Sequence, residues 1–174
     1  MKNVTLTGVE RLLKDSEIIC SCTDPHGLIT FVNTTFRHVT GFERDEVLGK
    51  PHNIIRHPDV PRTIYYLMWK TIRQGETFFG ITLNRCKNGD HYWILGYFRP
   101  DIRNGEIIGY RSTRRGLRKE ELKRQVAQLY KTVREAELTK PRNEQIEAGL
   151  DCLHKKLKKL GYSDYQDFAK LALL

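Results

Sequence analysis

Two Asn-Gly pairs, Asn88-Gly89 and Asn104-Gly105, each stand between segments of strand character, and they narrow the possible folds more than any other feature. Asn-Gly accepts the left-handed backbone that a two-residue hairpin needs at both central positions. The spacing predicts three antiparallel strands, near 77–85, 91–100 and 106–113. Upstream, apolar and β-branched residues in Glu17 to Ser21 lead to Asp24-Pro25-His26-Gly27, a reversal with Pro and Gly where a turn needs them, and 28–32 reads as the returning strand. Between these groups the pattern is helical. Asn33-Thr34-Thr35 offers caps for a short helix through Phe36 and Val39 that Gly41 ends, and Glu43 to Leu48 reads as a second short helix stopped by Gly49. Pro61 opens a third, with Ile64, Leu67, Met68 and Ile72 at helical spacing before Gly75. The sum is an α+β domain, a five-stranded antiparallel sheet with short helices on one face.

At 174 residues the chain has room for one core and an appendage, and the appendage is legible. After Gly116 a stripe of Leu122, Val126, Leu129, Val133 and Ala136 alternates spacings of four and three. Pro141 interrupts it, and Ile146, Leu150, Leu153, Leu157 and Leu160 repeat the pattern until Gly161. Ser163 offers a cap for a last helix holding Phe168, Leu171 and Leu174. Helices this short are marginal alone in water, so their apolar stripes predict a C-terminal α-helical extension that packs as a hairpin or mediates self-association.

Hydrophobic content of 39% and charged content of 29% fit a folded, soluble chain of cytoplasmic type. Met1 to Leu6 lacks the apolar core of a signal peptide, and no run is long enough to cross a bilayer. The net charge of +9 invites a nucleic-acid reading, but its basic residues divide between Arg111 to Lys119 and Lys155 to Lys159 with no nucleic-acid motif around either. A solvated helix face or an acidic protein partner accounts for them equally well. Cys20, Cys22, Cys86 and Cys152 lack the paired spacing of a zinc site, and Cys20 and Cys22 fall on one face of a strand. No phosphate loop, nucleophile elbow or metalloprotease helix is present, which argues against an enzyme.

The chemistry concentrates in Pro51-His52-Asn53-Ile54-Ile55-Arg56-His57-Pro58-Asp59-Val60-Pro61. Three prolines stiffen this connection while Arg56 and His57 offer cationic donors to something anionic. Together with Ile29-Thr30-Phe31-Val32-Asn33, Gly41-Phe42, Met68-Trp69 and the run from Asn84 to Trp93, the block closely resembles the PAS domain of bacterial aerotaxis, or energy-taxis, receptors, a match running from about Glu17 to Thr113. The resemblance divides the chain into an N-terminal cap (1–16), a PAS sensor domain (17–115) and a helical signalling extension (116–174). It implies a non-covalent FAD, redox sensing and a chemotaxis output through a membrane chemoreceptor or other signalling partner, with a homodimer expected and the chain held at the membrane only through that partner.

By resemblance, Asn33, His52, Arg56, His57, Asp59, Trp69 and Asn84 occupy positions associated with the flavin. Their residue types allow the roles: Arg56 and His57 for the pyrophosphate, Trp69 for stacking on the isoalloxazine, an Asn amide for the ring's polar edge. Each also has a structural reading. Asn33 suits an N-cap, Asp59 orients a neighbour or caps the next helix, and Trp69 fits a core. The alternatives are a cofactor-free PAS protein-interaction module and a haem-based gas sensor with His52 or His57 as iron ligand. A light-driven flavin-thiol adduct is disfavoured, since no cysteine lies between Asn33 and Lys70. His91 reads as exposed hairpin register.

Overall fold

The computed structural model describes residues 4–173, so the expectations placed on Met1 to Asn3 and on Leu174 lie outside the described residues. Strands β1 (Ile19–Thr23) and β2 (Ile29–Val32) form the first hairpin; α1 (Thr34–Thr40), α2 (Arg44–Val47), a 3-10 turn (His52–Ile55) and α3 (Arg62–Arg73) follow. Strands β3 (Phe78–Arg85), β4 (His91–Arg103) and β5 (Glu106–Gly116) then make a meander, and α4 (Glu120–Leu138), α5 (Gln145–Lys159) and α6 (Tyr165–Ala169) complete the chain with a last 3-10 turn. The sheet order is β2-β1-β5-β4-β3, antiparallel throughout.

The two Asn-Gly turns differ. Asn104 and Gly105 both have positive φ, 51° and 81°, the signature of the two-residue turn. At Asn88-Gly89 only the glycine is left-handed, and the loop runs from Cys86 to Asp90, closed by the Cys86 amide on the Asp90 carbonyl at 2.7 Å. The wider loop is held from outside: the Thr7 amide donates to the Gly89 carbonyl at 3.1 Å, and a Cβ on Gly89 would collide with the Thr5 carbonyl. The N-terminal segment then continues along the start of β4, where the His91 amide donates to the Val9 carbonyl and the Arg11 amide to that of His91. His91 is therefore half-buried, against the exposed register expected for it.

Several boundaries shift for local reasons. Asn33 caps α1, accepting from the Phe36 amide at 2.9 Å, and Gly41 closes that helix at φ 72°. Pro61 is the cap position of α3 rather than its first residue, and Asp164 rather than Ser163 caps α6 by accepting from the Asp167 amide. In α5, Leu153 and Leu157 are buried whereas Leu160 sits at the C-cap, exposed.

The sheet has two differently covered faces. One apolar cluster, with Ile19, Val32, Phe36, Val39, Phe42, Val47 and Ile94, lies under α1 and α2. A second cluster runs from α3, which covers the same face as α1 and α2, to the tail packed on the opposite face of β3 and β4. Along β3 and β4 side chains alternate between faces, so Ile81, Leu83, Trp93 and Leu95 project opposite to Thr82 and Asn84 and meet Val126, Leu129, Tyr130 and Val133 of α4. Edge strand β3 does not expose a bare ladder. Its Phe79 amide donates to Gln166 Oε1 at 2.7 Å, and its Ile81 carbonyl accepts from the hydroxyls of both Tyr130 and Tyr165. Helix α6, with Tyr130 of α4, thus stops the pairing that a free edge invites.

Candidate functional site

The proline-rich block is stitched to the sheet at both ends. The Ile29 amide donates to the Lys50 carbonyl and the His52 amide to that of Gly27, while Arg56 makes a single antiparallel bridge to Asn84 on β3. The 3-10 turn between these anchors directs His52 and Arg56 toward the sheet, with α3 as the opposite wall. A cavity of about 310 Å³ lies between them. Ser21 and Thr23 of β1, Thr82 and Asn84 of β3, Phe98 of β4, and Tyr110, Ser112 and Arg114 of β5 contribute from the sheet; Tyr65, Met68, Trp69 and Arg73 contribute from α3.

Among the described residues Arg56, Arg73, Arg111 and Arg114 border this space and no aspartate or glutamate does, although the Arg111 side chain leaves β5 on the opposite face, beside Cys22. Arg114, 1% exposed, donates from Nη2 to Ser21 Oγ at 2.6 Å and lies 5.7 Å from the Phe36 ring, but its Nε has no partner. Burial lowers its pKa, the expected sign for a cation held in apolar surroundings. Arg56 spreads over the Tyr65 ring at 3.3 Å and is likewise shifted down by burial. Arg111, nearer solvent, is paired with Asp101 at 3.3 Å. Burial pushes the Tyr65 phenol up to about 12. Its hydroxyl and that of Thr23 also lack partners. Three buried polar groups on one cavity are costly unless something else satisfies them, at about 1–3 kcal/mol each.

His52 lies beside this cationic floor. Burial, aided by the Arg114 charge, pushes its imidazole down to about 3, so the ring is neutral. Its Nε2 is 2.8 Å from Ser21 Oγ. Trp69 meets Tyr110 edge-to-face at 5.2 Å, with the Arg73 guanidinium 5.2 Å from its ring. Gly27 makes room for that indole: a Cβ there would lie 3.1 Å from Trp69 Cη2, on a backbone with φ +84°. Asn84, 5% exposed, presents its amide from β3.

Of the seven residues singled out in the sequence, His52, Arg56, Trp69 and Asn84 line the cavity. The other three lie elsewhere. The Asn33 amide is spent on backbone, accepting from the Phe36 and Cys20 amides and donating to the Ile18 carbonyl. His57 is buried against His91, ring centroids 5.9 Å apart, and burial lowers its pKa. Asp59 is exposed, 3.7 Å from His57 Nδ1, with its own amide donating to that nitrogen. Arg114, Ser112, Ser21 and Tyr65 are cavity residues the sequence reading did not single out. Period-two alternation along β5 carries a signal for two of them, since Tyr110, Ser112 and Arg114 share one face.

Residues 29–114 match the PAS fold family. The chain is 43% identical over 121 residues to the aerotaxis receptor of Escherichia coli, covering 70% of this chain and 24% of that protein. It is 33% identical over 84 residues to biofilm dispersion protein BdlA of Pseudomonas aeruginosa, 48% of this chain and 20% of that one. The chain therefore spans only about a quarter of the receptor it matches. Among solved structures, a light-oxygen-voltage domain studied with a flavin analogue superposes with a TM-score of 0.58 at 19% identity, over 65% of this chain and 87% of that one. The light-state Aureochrome1 domain, a blue-light photoreceptor, gives 0.58 at 20% identity over 65% and 91%. Among the described residues no helix is long and apolar enough to cross a membrane.

Proposed function

Because residues 29–114 of this chain are a PAS domain related to that of an aerotaxis receptor, we propose that it binds FAD and senses redox state for aerotaxis or energy taxis, passing the signal to a separate chemoreceptor. The observation that carries the reading is a cavity walled by Trp69, Tyr110 and Phe98 that takes the side chains of Arg56, Arg73 and Arg114 and, among the described residues, no carboxylate. Aromatic walls suit a flat ring, and arginine forks suit phosphate oxygens. The unpartnered atoms of Arg114, Tyr65 and Thr23 supply donors that a polar ring edge would satisfy. A volume of about 310 Å³ is at the small end of cofactor-sized sites, which fits a ring inside and a diphosphate at the mouth.

In this reading Arg56, with Arg73, holds the pyrophosphate; Trp69 packs against the ring; Asn84 and Arg114 hydrogen-bond its polar edge. When bound, the flavin supplies electron transfer, and the protein reads the resulting change in charge and hydrogen bonding. The chain acts as a sensor rather than an enzyme. Haem is the second reading, favoured by one observation: a neutral imidazole, His52, faces the cavity. Chromatography of the chromophore released by heat from purified protein decides. A single FAD peak at one equivalent per chain is expected; haem, or no chromophore with no uptake of added FAD, overturns the proposal.

A further inference from the structure

We infer that Arg114 is the ring-recognising residue of this cavity, reading the carbonyl-bearing edge of the flavin's fused ring while Arg56 reads the phosphates. The inference rests on the flavin reading above.

The two guanidiniums occupy different depths. Arg114 projects from β5, the central strand of the sheet, and is 1% exposed; Arg56 comes from a loop and remains partly accessible. A phosphate is heavily hydrated and belongs at the mouth, where Arg73 also lies toward solvent. What reaches Arg114 must be the apolar end of the ligand, carrying acceptors but little bound water.

Arg114 is also fixed before any ligand arrives. Ser21 Oγ is surrounded by Arg114 Nη2 at 2.6 Å, His52 Nε2 at 2.8 Å and Ser112 Oγ at 2.9 Å. A serine hydroxyl has one proton to give and two lone pairs to fill. In either tautomer of a neutral His52, Ser21 Oγ accepts from Arg114 Nη2 and shares its remaining proton and lone pair between His52 and Ser112. Every hydrogen bond of Ser21 is then allocated, and the guanidinium is held at one end. The Nε donor is left over, buried and unpartnered. A planar cation held through Nη2 with its neighbouring Nε donor unpartnered suits a carbonyl oxygen beside an unprotonated ring nitrogen, as at the O4 and N5 positions of isoalloxazine. The chemical class selected is a fused heteroaromatic ring with a carbonyl next to an acceptor nitrogen, whatever is attached to its far side.

Riboflavin, which has the ring and no phosphate, separates the two arginines. Flavin-free protein, as wild type and as Arg114→Gln, Arg114→Lys and Arg56→Ala, is titrated with riboflavin and with FAD, and folding is checked by circular dichroism. Arg114→Gln should weaken both ligands by the same factor, about ten- to a hundredfold, whereas Arg56→Ala should weaken FAD and leave riboflavin unchanged. Arg114→Lys, which keeps the charge and reaches Ser21 but lacks the fork, should recover part of the affinity and shift the visible band of the bound ring. If Arg114→Gln fails to fold, the Lys variant carries the test by the same riboflavin-to-FAD comparison. Wild-type affinity for riboflavin in both Arg114 variants, or a loss confined to FAD, overturns the inference and leaves the flavin reading standing. A wild-type protein that binds neither ligand overturns both.

Discussion

His52 lies in the most informative electrostatic position of the molecule, a neutral imidazole sharing Ser21 with a buried guanidinium. Its folded-state pKa of about 3 lies below the unfolded value of 6.5, so the unfolded chain binds the extra proton first as pH falls. Stability tied to His52 is therefore complete above about pH 6.5 and is lost progressively toward 3. His57 is shifted in the same direction by burial and adds to the slope. We expect the unfolding free energy in denaturant to fall between about pH 7 and about pH 5, and His52→Gln to fall less steeply. Equal slopes in the two proteins would remove His52 from the acid response. At this scale the sequence was readable where chemistry is written locally. The prolines around His52 and Arg56 announce a stiff loop whatever it packs against. Arg114 was not readable, because a strand arginine declares its side only once long-range pairing sets the register, here Arg114 opposite Ile19 and Gly96.

Among the elements, α3 is held at its start by the tail. Pro61 gives α3 no side-chain cap, so its first amides look elsewhere. Glu137 of α4 supplies the acceptors: Oε2 takes the Arg62 amide at 3.2 Å, and Oε1 takes the Thr63 amide at 2.7 Å and the Thr63 hydroxyl at 2.6 Å. A carboxylate there also complements the positive end of the helix dipole. Gly149 of α5 permits the close approach, since a Cβ there would strike the Thr63 hydroxyl. The helix carrying Tyr65 and Trp69 into the cavity is thus fastened to the extension. Glu137→Ala should lower stability by about 1–3 kcal/mol in denaturant unfolding, through lost caps and buried amides left unpaired. An unchanged midpoint would mean that water caps α3 as well as Glu137 does. Heptad spacing announced α4 and α5 while leaving hairpin packing and self-association open, and Leu122, Val126, Leu129 and Val133 are buried as a seam. It did not announce the destination, because the partners, the β3 edge and the α3 start, are 49 and 74 residues away in the chain.

For the molecule as a whole, the account joins a cavity with a cationic floor to a helical extension that grips both the edge of the sheet and the start of α3. A change in charge at the ring would be felt first by Arg114 and Trp69. Trp69 belongs to α3 and Glu137 binds the start of that helix, so the extension is the element positioned to respond. Local patterns foretold the antiparallel meander and the helices over it, while the site waited on register. The central claim, a reducible flavin in this cavity, is tested most directly by the visible absorption of the purified protein in air, after anaerobic reduction with dithionite, and on readmission of oxygen. The account predicts the blue and near-ultraviolet bands of an oxidised flavin that bleach on reduction and return with air, all absent from Arg56→Ala. A Soret band, or a protein without visible absorption even after incubation with FAD, would contradict it.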